Sequence, residues 1–325
     1  MANGKATFIP IVTPPMIWDE QLGWAPKPHY SSYSGTFLIG EHGIRMNSEV
    51  ITPLRQHAIL AVGDSFTAGS EVGNSESWPA HLERLLGTQV INAASGAWGV
   101  DQMILRVEQL APILHPKAVI VGILDQDILR NNYRLYGGGY KPYFTIEKNE
   151  LILNGTPVPT FAGARSDLGF WKSIFGHFYA LDWLYRNLGR TASWVDESRR
   201  YDKAHDNGPE ISRLLMGRLA RLKQQYDFDA MVVLLYGGDY AERFDKPADW
   251  VQPTFQGARD DGIPAIDMLP VLREAHAARS DALRQYYVMH DGGTSYGHMN
   301  SQGNLLVAKT ISRRIRELRW QAVKR

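Results

Sequence analysis

The sequence predicts a three-layer α/β/α protein with a central, mainly parallel sheet, and three observations predict it. From His57 onward, short apolar runs alternate with segments of helical period. The runs Ile59-Leu60-Ala61-Val62 and Ala118 to Ile123 are unbroken by polar residues, as strands buried on both faces are. The first run ends in a turn of small and polar residues, Gly63-Asp64-Ser65, at the strand edge where open α/β sheets place their chemistry.

The elements follow in order. Residues 1 to about 55 have no helical period. Thr13-Pro14-Pro15, Trp24-Ala25-Pro26-Lys27-Pro28 and Ser31-Ser32-Tyr33-Ser34-Gly35 read as extended loops with turns, and Thr36-Phe37-Leu38-Ile39 as one short strand. This segment is expected to be an N-terminal flap, with the α/β domain spanning 56–325. Within that domain the strand ending at Gly63 precedes a helix over Ser77 to Leu86, a short strand Gln89 to Asn92, a helix over Gln102 to Leu114 and the buried strand Ala118 to Ile123. An insertion occupies about 131–207. After it come a helix near Ile211 to Tyr226, a strand Ala230 to Leu235, a helix near Thr254 to Asp261 and a weak strand Ile263 to Ile266. A strand at Gln285 to Met289 and a helix over Asn304 to Trp320 complete the pattern. The insertion reads as a β-hairpin and helical cap. Tyr143 to Ile146 and Leu151 to Leu153 flank the turn Glu147-Lys148-Asn149-Glu150, Trp171 to Leu188 is helical in period, and Arg199 to Asp206 is a charged, mobile loop. Such a cap either shapes substrate entry or is a passive outgrowth. Its aromatic residues Tyr133, Tyr136, Tyr140, Tyr143 and Trp171 are expected to pack the insertion, with sugar stacking as the alternative.

Composition narrows the chemistry. The 35 basic and 34 acidic side chains nearly cancel, which argues against a nucleic-acid surface. With no cysteine, disulfides, thiolate metal sites and cysteine nucleophiles are excluded. No tight histidine–carboxylate spacing suggests a metal, and Gly137-Gly138-Gly139 lacks the helix and lysine of a phosphate loop, so no cofactor is expected. No stretch has the apolar length of a membrane span. Met1 to Val12 fails as a signal peptide, which leaves a cytoplasmic protein, or a periplasmic or extracellular one trimmed at its start.

Four separated pieces carry groups able to do chemistry. Gly63-Asp64-Ser65 puts a hydroxyl at a strand end, without the second glycine of a Gly-x-Ser-x-Gly elbow. Asn92-Ala93-Ala94-Ser95-Gly96-Ala97-Trp98-Gly99 follows the next strand and exposes amides at Gly96 or Ala97. Gln126, after the third strand, offers a side-chain amide, while Asp127 organises its loop. His298 lies in a loop of small residues before the last helix, for which Asn300 or Ser301 is a cap.

In that order, the four pieces resemble the SGNH, or GDSL-type, hydrolase and acyltransferase superfamily, over roughly residues 57–130 and 285–320. The resemblance implies Ser65 as nucleophile, His298 as base, and Ser65, Gly96 or Ala97 and Gln126 as oxyanion donors. Three positions depart from the family pattern. The second-block glycine falls on Ala97, Gln126 stands in place of asparagine, and Ser295 occupies the position three before the histidine where aspartate is usual. The nearest acid upstream is Asp291, expected to orient His298 across the glycine-rich turn, with a dyad as the rival. The function implied is a serine esterase acting on short acyl or acetyl esters of a small molecule or glycan through an acyl-serine. An O-acyltransferase using the same site and a non-catalytic binding module are the alternatives.

Overall fold

The computed structural model of the protein describes residues 15–160, 201–278 and 282–320. The helical period over Trp171 to Leu188, with Trp171 itself, lies outside these residues.

Five parallel strands form the central sheet: β3 (Ile59–Gly63), β4 (Val90–Asn92), β5 (Ala118–Leu124), β11 (Asp229–Leu235) and β12 (Ala265–Asp267). Their spatial order is β4-β3-β5-β11-β12. Chain order therefore reverses between β3 and β5, the kind of switch point at which doubly wound sheets open a crevice. Every residue of β3 and β5 is buried, which is why both read as continuous apolar runs. The helices pack in two groups. Helix α2 (Trp78–Leu86) lies against α9 (Ser301–Leu318), and α5 (Gly208–Tyr226) lies against α3 (Val100–Leu114) and α7 (Gln252–Asp260). No described helix is long and apolar enough to cross a membrane.

Outside the sheet, three hairpins matter. The predicted insertion hairpin is present as β8 (Tyr143–Glu147) and β9 (Glu150–Asn154), with Lys148 and Asn149 at positive φ in a two-residue turn. Upstream of it, Tyr133 and Tyr136 pack edge to face at 5.5 Å, and both contact Tyr201. The charged stretch ending at Asp206 is not all loop, since β10 (Asp202–Lys203) pairs with β6 (Tyr133–Tyr136).

The N-terminal segment holds a second, unforeseen hairpin, β1 (Met16–Asp19) with β2 (Gly23–Pro26). Asp19 Oδ1 accepts the amides of Gln21 and Leu22 and so closes its turn. Trp24 is fully buried; its Nε1 donates to Gly96 O, and Trp98 Nε1 donates back to Trp24 O. Two residues beyond the left-handed turn at His42 and Gly43, the buried Arg45 guanidinium donates to the carbonyls of Ala68, Gly69 and Val72. The N-terminal segment is thus bonded to the loops that follow β3 and β4.

The third hairpin corrects an expectation. The predicted last strand does not join the parallel sheet: β13 (Tyr287–His290) pairs antiparallel with β14 (Ser295–Met299). Asp291, Gly292 and Gly293 all take positive φ, which folds the chain straight back. His298 therefore sits in a strand and not in a loop.

Candidate active site

Ser65 opens a one-turn helix, α1 (Ser65–Ala68), directly after β3. Asp64 caps it, its Oδ1 accepting Phe66 N at 2.8 Å. Gly63 does not serve the turn through an unusual φ; it serves by lacking a side chain. A Cβ there would stand 2.1 Å from Thr67 Oγ1 and 2.6 Å from Gly122 O. Gly122, its register partner on β5, would also collide with Thr67. Two glycines on adjacent strands thus make the hole into which Thr67 drops, and that seats α1 at the sheet edge.

Beneath this turn lies a buried charge network. Arg130 of α4 (Asp127–Arg130) contacts Asp127 at 2.5 Å and Asp64 at 3.4 Å, and donates to Trp98 O at 3.0 Å. Asp127 Oδ2 accepts Leu124 N at 2.7 Å, so this residue organises its loop as the sequence predicts. Burial nonetheless pushes the Asp127 carboxyl well up, with Arg130 pulling the other way.

His298 arrives from the C-terminal hairpin. Its Nε2 is 2.9 Å from Ser65 Oγ, so two residues 233 positions apart in the chain meet within hydrogen-bond reach. The imidazole lies 5.0 Å, centroid to centroid, from the ring of Phe66. Two contacts hold the hairpin. Tyr287 OH donates to Tyr236 O at 2.8 Å, and the Tyr296 ring occupies the space that a side chain at Gly238 would need. Asn300 caps the following helix through Gln302 N and Gly303 N, as expected.

The acid facing His298 is Glu71, a residue outside the four pieces singled out in the sequence. Glu71 Oε2 accepts the backbone N–H of His298 at 2.7 Å and stands 3.1 Å from its Nδ1. That second contact is at ion-pair distance but does not meet hydrogen-bond geometry. The other oxygen, Oε1, is 2.8 Å from His290 Nε2. Partial burial raises the Glu71 carboxyl, but the bonds from His298 and His290 outweigh it and hold the group below its ordinary range. Gly297 permits the approach, since a Cβ at that position would stand 2.4 Å from both Glu71 Oε2 and His290 Nε2.

Asp291, the acid expected in this role, is elsewhere. Its Oδ2 accepts Ser295 Oγ at 2.8 Å in the hairpin turn. Ser295 pairs with His290, so His298 lies three residues further along the returning strand, roughly 10 Å from the turn. Glu71 is far from the histidine in the chain and comes from the serine's own loop, six residues after Ser65. The available signal was that short spacing past Gly69, whose left-handed backbone ends α1.

The expected oxyanion donors lie on the loops that follow β3, β4 and β5. Its own amide heads a helix, where no intrahelical acceptor is available. Gly96 lies alongside: a Cβ built on it would be 3.9 Å from Ser65 Cβ. Its carbonyl is engaged by Trp24, and the Gly96 and Ala97 amides have no internal acceptor among the described residues. Ala97 has φ 62°, a left-handed backbone that favours the glycine usual in this block. Gln126 is exposed and lines the same cleft of about 310 Å³ as His298.

Neither the family models nor the curated proteins searched give a match to this chain. Among solved structures, the chain is similar to an acetyl xylan esterase, AlAXEase, at 10% identity and TM-score 0.45, over 79% of this chain and 99% of that one. It is similar to a catalytic mutant of Axe2, an acetylxylan esterase from Geobacillus stearothermophilus, at 12% identity and TM-score 0.42, over 85% and 100%. It is also similar to the lipase/acylhydrolase from Enterococcus faecalis, at 12% identity and TM-score 0.42, over 82% and 99%.

Proposed function

We propose that this protein is a serine ester hydrolase acting on short acyl esters. The reading rests on one observation above all, the 2.9 Å separation of Ser65 Oγ and His298 Nε2 at the switch point of the sheet. His298 Nε2 takes the Ser65 proton as Oγ attacks the ester carbonyl. The amides of Ser65 and of Gly96 or Ala97, with the Gln126 side chain, receive the developing oxyanion; a donor of this kind is worth about 3 kcal/mol of barrier. His298 then protonates the departing alkoxide, which leaves an acyl-serine. Water, deprotonated by the same nitrogen, releases the acid. Glu71 replaces Asp291 as the group that orients the imidazole and stabilises its charged form, through Nδ1. The cleft's size supports small acyl groups and small alcohols, including an acetylated sugar.

Hydrolysis of p-nitrophenyl acetate, followed with intact-protein mass spectrometry of a quenched reaction, tests the proposal. Turnover and an acyl adduct on Ser65 are expected, and both are lost in Ser65→Ala. Turnover surviving that substitution, or absent from the unmodified protein on a panel of short esters, rejects it.

A further inference from the structure

The carboxylates of the cleft beside Ser65 share its lining with two histidines, His290 and His298. The carboxylates are three, those of Glu71, Asp125 and Asp239, and no lysine or arginine lines the cleft. Glu71 is engaged by two histidines. Asp125 is not engaged in this way. It is 2% exposed, yet no side chain among the described residues donates to its carboxylate; only the amides of its own turn, its own and that of Gln126, favour its charge at short range. The nearest cation, Arg130, is held by Asp64, Asp127 and the carbonyl of Trp98. Burial accordingly pushes the Asp125 carboxyl up to about 6. A buried carboxylate without a cationic partner is unfavourable unless something else supplies the charge.

Aromatic rings share this wall. Tyr240 and Tyr296 line the cleft, and each is fixed at its hydroxyl, Tyr240 on Lys246 O at 2.9 Å and Tyr296 on Glu242 Oε1 at 3.2 Å. Tyr240 also packs against Tyr236 and Phe244, at 5.4 Å and 4.7 Å. Fixed rings beside an uncompensated carboxylate are what an alkylammonium group recognises, through the ring quadrupole and the charge together. Ser65 and Asp125 follow neighbouring strands, roughly 4.8 Å apart. An ester whose nitrogen lies two carbons from the ester oxygen spans a gap of that order.

Building on the esterase reading, we infer that this cleft selects esters carrying an ammonium group, held by Asp125 and the rings of Tyr240 and Tyr296 while Ser65 attacks. Arg130 stays with its own partners, and an anionic ester is repelled.

The test uses the full chain with two thioesters of matched shape, acetylthiocholine and neutral S-(3,3-dimethylbutyl) thioacetate, together with calorimetric titration of choline. The expected result is a kcat/KM about tenfold higher for the cation. Asp125→Asn should bring the two substrates to within about twofold, and Tyr240→Leu should narrow the ratio by a different alteration of the same wall. Asp239→Asn, at an exposed position, should narrow it least. A ratio of one or below in the unmodified protein overturns the inference, as does a preference unmoved by both Asp125→Asn and Tyr240→Leu. If no ester is turned over, choline binding decides. Binding that Asp125→Asn abolishes sustains the cation site and rejects the esterase, and no binding rejects the cation site too.

Discussion

The two side chains that meet at 2.9 Å are delivered by opposite means. Ser65 stands on a turn built into the core: β3 is wholly buried, Thr67 fills a hole left by two glycines, and Arg45 ties the carbonyls on the far side of the turn. His298 stands on a two-stranded hairpin outside the sheet, its side chain 29% exposed. Glu71 and Phe66 touch it, and Tyr296 seats the hairpin on Gly238. A position set by core packing can be disturbed only at the expense of the fold, whereas one set by a few side-chain contacts at the surface can move while the fold stands. The serine's half of the site should therefore fail together with stability, and the histidine's half should fail alone.

The largest expected effect would break that comparison most cleanly. Glu71→Gln keeps the size of the side chain and removes its charge, so kcat/KM should fall by about 10²–10⁴, with Tm within about two degrees of the parent. Asp291→Asn should stay within about twofold on the same ester, since its carboxylate faces Ser295. Equal losses in the two variants, or a loss confined to Asp291→Asn, would return the orienting role to the hairpin turn.

A pair of glycine substitutions sharpens the same contrast at smaller scale. Gly63→Ala places a methyl against Thr67 and the Gly122 carbonyl, an overpacking worth about 1–3 kcal/mol, so Tm should drop by several degrees. Gly297→Ala places one against Glu71 and His290, whose side chains are partly exposed and can swing away. There kcat should fall about tenfold or more while thermal melting hardly shifts. Melting that responds alike to both would mean that the hairpin is as much part of the core as β3.

The smallest effect is a pH signature. Glu71 has a folded-state pKa below its unfolded value, so its contacts add stability that is fully present above the unfolded pKa. That contribution disappears as pH falls through the lower, folded value. Melting scans should show Glu71→Gln below the parent by about a degree near neutrality, with the gap closing under acid conditions. A gap that widens on acidification would mean that the histidines do not stabilise the Glu71 charge.

What could be read in advance followed local rules. The strands β3 and β5 were visible because burial on both faces demands unbroken apolar runs. The turn at Lys148-Asn149 and the cap at Asn300 were visible because each is satisfied within a few residues. The N-terminal hairpin escaped because a prolyl, glycyl and aromatic stretch gives no period, and its order comes from Trp24 and Trp98 exchanging bonds with each other's loops. The antiparallel pairing at residues 287–299 escaped because positive φ at Asp291, a non-glycine residue, is not written in composition.

By itself, the sequence determined an alternating α/β chain, a serine at the first strand's end, a histidine before the last helix and amide donors between them. Those follow from period, turn chemistry and order along the chain. Tertiary structure alone decided which acid faces the histidine, that Gly63 and Gly297 are there to let neighbours through, and that three carboxylates share one cleft. All three depend on distances between segments far apart in the chain, and through-space distance is set by how the layers pack.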